Sequence, residues 1–132
     1  MKITLFFPAF PPALDGIGDH TARLAAALSR HCDVTVLTTQ PEAEAVPGVD
    51  IHVLPPIDTR AGRQALIQSI QTHPPDWLFV QFNQFSYGHW GFNPGFPLTI
   101  RHLRHSVPGL RIAVLFHEDF VPITSWKFAV MT

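Results

Sequence analysis

Lys2-Ile3-Thr4-Leu5-Phe6-Phe7-Pro8 stands at the head of the chain. Asp15-Gly16-Ile17-Gly18-Asp19-His20-Thr21-Ala22-Arg23-Leu24-Ala25-Ala26-Ala27-Leu28 follows, and then Asp33-Val34-Thr35-Val36-Leu37-Thr38-Thr39. The first run is β-branched and aromatic, nearly continuous in apolar residues, and ends at a proline. Such a run predicts a strand buried on both faces. The second places Thr21, Leu24, Ala25 and Leu28 at i, i+3, i+4 and i+7, the spacing of an amphipathic helix, with Asp19 as its expected N-cap. The third predicts another strand. A helical crossover between two such strands makes them parallel.

The alternation continues down the chain. Residues 49–54 read as a strand ended by Pro55-Pro56, and 61–72 as a helix with Leu66, Ile67 and Ile70 on one face. Residues 76–82 read as a strand and 83–95 as a polar-aromatic loop. A helix is expected over 96–106 and a last strand over 111–116. The predicted order β-α-β-β-α-β-α-β is that of a Rossmann-like, doubly wound, mostly parallel α/β sheet. One such domain is expected over residues 1–120. Residues 121–132, ending Trp126-Lys127-Phe128-Ala129-Val130-Met131-Thr132, read as the start of a further element of a longer protein.

Composition narrows the function classes. The chain has 132 residues, 46% hydrophobic and only 14% charged, against about 25% charged in a typical domain. This balance excludes global disorder and points to a surface partly given to contacts with another domain or a membrane. The net charge of −1 gives no electrostatic case for nucleic-acid binding. A single cysteine, Cys32, excludes an internal disulfide and a cysteine zinc cage. No apolar run reaches the ~18 residues of a membrane span, and the first strand is too short for a signal-peptide core, so a cytoplasmic location is expected.

Ligands of open α/β sheets bind beyond the carboxyl ends of the strands. Three segments are predicted to meet there. Asp15-Gly16-Ile17-Gly18-Asp19 opens a helix, whose free N–H groups and positive end suit a phosphate. Its spacing is neither G-x-G-x-x-G nor a P-loop, and a turn that merely needs glycine is the plain alternative. His117 follows directly on the last strand, where an imidazole can donate to a hydroxyl or phosphate or exchange a proton. A histidine satisfied by backbone at a strand end is the alternative. Glu118 and Asp119 beside it offer acceptors for a polyol. The loop after Phe82 mixes amides and aromatics, among them Asn83 and Tyr87, that could hydrogen-bond or stack on a sugar or base. A loop packing its own aromatics is the other reading. His102 and His105 are spaced for one metal, but no acidic partner lies beside them, and a solvated helix face is expected.

The glycine loop with its flanking strands, together with Ile112-Ala113-Val114-Leu115-Phe116-His117-Glu118, resembles the N-terminal region of glycosyltransferase family 4. The resemblance covers roughly residues 1–120. It implies half of a GT-B architecture, in which two Rossmann-like domains enclose the active site. It further implies a retaining transfer from a nucleotide sugar to a carbohydrate or lipid-linked acceptor, with peripheral membrane contact at the inner face in the lipid-linked case. No metal and no separate cofactor are implied. Gly16, Ile17 and Gly18 match the loop near the donor phosphates and sugar, and His117 matches the histidine that contacts the donor sugar. Glu118 stands where an aspartate is common, and Asp15-Gly16 where many members have paired glycines. The donor-binding C-terminal domain of that family is missing from this sequence, so the chain is expected not to turn over alone. A non-catalytic nucleotide- or phosphate-binding module, or the partner subunit of a two-chain glycosyltransferase, is the competing expectation.

Overall fold

The computed structural model describes residues 1–117. The expectations for Glu118, for Asp119 and for the segment 121–132 fall outside the described residues.

Among the described residues five strands form one sheet: β1 (Lys2–Phe6), β2 (Asp33–Thr38), β3 (Val49–Val53), β4 (Trp77–Phe82) and β5 (Arg111–Phe116). Their order is β3-β2-β1-β4-β5, and every pairing is parallel. The chain starts in the middle of the sheet, grows to one edge through β2 and β3, then returns beside β1 and grows to the other. This is the doubly wound, Rossmann-like plan. Among the described residues four α-helices accompany it: α1 (Gly16–Leu28), α2 (Arg60–Thr72), the single-turn α3 (Gln84–Tyr87) and α4 (Gly95–Ser106).

Period-two alternation in the strands sends side chains to two separate cores. Leu5, Val34 and Val36 pack with Ala25 of α1 on one face. Phe6, Leu37, Leu78 and Val80 pack on the other, under Leu66 and Ile70 of α2 and Phe96 and Leu103 of α4. Right-handed crossovers account for the division, because α1 leads toward one edge while α2 and α4 lead toward the other.

Two local differences from the sequence expectation matter for the site. Helix α1 begins at Gly16, with Asp15 and not Asp19 as N-cap. Gly16 and Gly18 therefore lie in the first helical turn instead of the connecting loop. The segment after β4 is not wholly irregular: α3 and a 3-10 turn at His89–Gly91 occupy part of it. The reason is Tyr87, whose ring is locked between Phe82 and Phe96 at centroid distances of 4.9 and 4.4 Å.

Candidate functional site

Parallel pairing puts the ends of β1, β4 and β5 on one edge, and an open cavity of about 650 Å³ lies there. Asp15, Gly16, Ile17 and His20 line it from the start of α1, Asn83 from the end of β4, and Leu115 and His117 from the end of β5. Residues from the two ends of the described chain thus form one concave surface.

The α1 end of the cavity is organised by Asp15. Its carboxylate accepts a hydrogen bond from the Gly18 N–H at 2.8 Å, and its carbonyl accepts from the Asp19 N–H at 2.9 Å. Among the described residues the amides of Gly16 and Ile17 have no acceptor at the helix start, which leaves them for a ligand. Gly18 is buried, and a Cβ there would meet the Ala9 carbonyl and the Phe10 nitrogen at 3.2 Å. Its glycine is explained by close packing of the 9–10 backbone on the helix. Gly16 is different: a Cβ there would meet nothing within 4 Å, and its φ is not positive. Neither packing nor backbone conformation within the described chain demands glycine at that position.

His117 is held from behind. Its backbone N–H donates to the Phe82 carbonyl at 3.0 Å, which extends the β4–β5 ladder by one residue. Its Nε2 lies 2.8 Å from Oε1 of Gln81. Gln81 is fully buried on the α1 side of the sheet, and its amide nitrogen donates to Oγ1 of Thr21. The Thr21 hydroxyl in turn donates to the Ile17 carbonyl at 2.7 Å. On the open side, the rings of His20 and His117 meet edge to face at 5.7 Å.

Sequence does not mark Gln81 or Thr21 as site residues; Thr21 enters there only as a position on the apolar face of the first helix. The available signal was an amide inside the apolar run Trp77-Leu78-Phe79-Val80-Gln81-Phe82, where an uncompensated polar group would be costly. Asn83 does line the cavity, but its carboxamide oxygen caps α3 by accepting from the Phe85 N–H at 3.0 Å. Tyr87, expected to face a ligand, is 2% exposed, and its hydroxyl donates to the Gln81 carbonyl. Burial pushes this phenol well above its ordinary pKa. It supports the site from within the core. Among the described residues no group of three or more His, Cys, Asp or Glu is placed to hold a metal ion, and no helix is long and apolar enough to cross a membrane.

Among the described residues the cavity combines one carboxylate, two imidazoles, a carboxamide and the amides of Gly16 and Ile17, with no Lys or Arg in that lining. Such a set of donors and acceptors suits hydroxyl groups better than a multiply charged anion, which would need compensating cations from elsewhere.

No protein-family model matches the chain, and neither does any curated protein. Among solved structures, a short chain dehydrogenase family protein from Francisella tularensis subsp. tularensis SCHU S4 superposes with a TM-score of 0.61 at 10% sequence identity. The match covers 98% of this chain and 57% of that one. At this identity the likeness shows the Rossmann-type α/β fold and nothing finer.

Proposed function

We propose that this chain is the acceptor-side domain of a retaining glycosyltransferase, which moves a sugar from a nucleotide sugar to a carbohydrate or lipid-linked acceptor. The observation that carries the reading is the shared cavity: the Gly16-Ile17 turn and His117 meet at the carboxyl edge of the sheet. In this reading the unused amides of Gly16 and Ile17 meet the negative charge that develops on the departing nucleotide diphosphate. His117 meets a hydroxyl of the sugar in transit. A described lining without Lys or Arg fits a wall that recognises sugar hydroxyls, while a second domain supplies the cations for the pyrophosphate. Donor and acceptor held in line between two such walls gain the effective molarity that drives transfer. A cytoplasmic setting, at the inner membrane face where the acceptor is lipid-linked, belongs to the same proposal.

The test is transfer from a panel of nucleotide sugars by the protein that carries this domain, with and without His117→Ala. The variant should lower turnover by about 100-fold, the scale of a lost acid–base or electrostatic group. Near-normal turnover would remove His117 from the site. Tight nucleotide binding by the chain alone, without transfer, would favour a non-catalytic module instead.

A further inference from the structure

We infer that Gln81 is a positioning residue that decides which nitrogen of His117 meets a ligand. The imidazole is held as the Nε2–H tautomer on Gln81, and Nδ1 is left to the cavity as a hydrogen-bond acceptor for a hydroxyl.

A buried chain of hydrogen bonds fixes the ring. The Thr21 hydroxyl has one proton, and it is given to the Ile17 carbonyl at 2.7 Å. Thr21 therefore faces Gln81 as an acceptor, and Gln81 must turn its NH₂ group toward it. The other end of the same amide, Oε1, is then the atom 2.8 Å from His117 Nε2. A carbonyl oxygen only accepts, so Nε2 carries the proton. In a neutral imidazole the other nitrogen is then a lone-pair acceptor. Each donor along the line points from His117 toward the first turn of α1, so the ring is tied to the same turn that carries Gly16 and Ile17. Gln81 is fully buried, and no water competes for either end of its amide. His20, Asp15 and Leu115 line the same cavity as the ring, and Nδ1 has no hydrogen bond among the described residues. A partner behind a functional imidazole that fixes tautomer and orientation is a familiar way of tuning one.

The inference deepens the glycosyltransferase reading by stating what His117 offers a sugar hydroxyl, but its test requires no transfer. The chain is labelled with ¹⁵N-histidine, and ring-nitrogen shifts are recorded at about pH 8, where imidazole is neutral. His117 is assigned by comparison with His117→Ala. In the unaltered chain the Nε2–H form should exceed the other by about tenfold, the scale of one net hydrogen bond. Gln81→Leu should bring the two tautomers to within about threefold, since no partner then selects between them. An Nδ1–H tautomer in the unaltered chain would mean that the amide is reversed, and would overturn the inference with no variant needed. An unchanged ratio in a folded Gln81→Leu chain would overturn it equally. Either result would leave the transfer assay to judge the broader function separately.

Discussion

Gly16 and Gly18 stand two residues apart in the same helical turn and answer to different demands. Gly18 lacks a side chain because the Ala9–Phe10 backbone lies against it, with contacts at 3.2 Å for any added Cβ. Backbone cannot give way as a flexible side chain can, so Gly18→Ala should destabilise the fold by about 1–3 kcal/mol, the cost of overpacking. Gly16 borders open space. Gly16→Ala should leave stability unchanged or raise it by up to about 1 kcal/mol, because alanine restricts the unfolded chain. Urea denaturation of the two variants separates them, and a stability loss at Gly16 as large as at Gly18 would contradict this assignment. If the Gly16 amide meets a ligand, the same stable Gly16→Ala variant should lose function. The sequence presents the two glycines as one motif. What separates them is the return of residues 9–10 over the helix, a tertiary contact that spacing does not encode.

At the level of elements, the start of α1 sets the electrostatics of the cavity. The sequence offers two aspartates, Asp15 and Asp19, and pattern alone favours the one nearer the alanine-rich run. The structure uses Asp15, whose carboxylate reaches back to the Gly18 N–H at 2.8 Å while its backbone is extended, as an N-cap requires. Asp15→Ala should therefore cost about 1 kcal/mol, and Asp15→Asn much less, since asparagine caps equally well. The pair also separates cap from charge. Asp15→Asn removes a negative charge beside the unused amides, so inorganic pyrophosphate should bind that variant more tightly than the parent. Calorimetry showing no gain, or weaker binding, would remove Asp15 from the electrostatics of the cavity. A similar lesson attaches to α3. Residues 83–95 carry no helical periodicity, and the single turn at Gln84–Tyr87 exists because Tyr87 is drawn between Phe82 and Phe96.

For the molecule as a whole, the two cores and the cavity are joined at Gln81 and Tyr87. Tyr87 is the sole tyrosine of the chain, and its hydroxyl donates to the Gln81 carbonyl from inside the larger core. Burial raises its pKa well above 10.0, the value expected once unfolded. The protonated form is thus favoured by folding: the contribution to stability is complete below pH 10 and declines as the pH rises beyond it toward the folded-state pKa. The tyrosinate absorbance should stay absent while the chain remains folded and appear only together with loss of structure above pH 10. A tyrosinate signal near pH 10 with the circular dichroism intact would place Tyr87 at the surface. The sequence by itself determined the class of fold, the parallel sheet and the identity of the strand-end histidine. Period-two and period-3.6 patterns, proline breaks and crossover handedness are local rules, each readable from residues near one another. Only the tertiary structure decided that Gln81 and Thr21 stand behind His117, that Asp15 closes the helix start and that Tyr87 belongs to the core. Those relations join residues as far apart as Thr21, Gln81 and His117, and they depend on strand order and on which face each residue takes. Linear spacing carries neither.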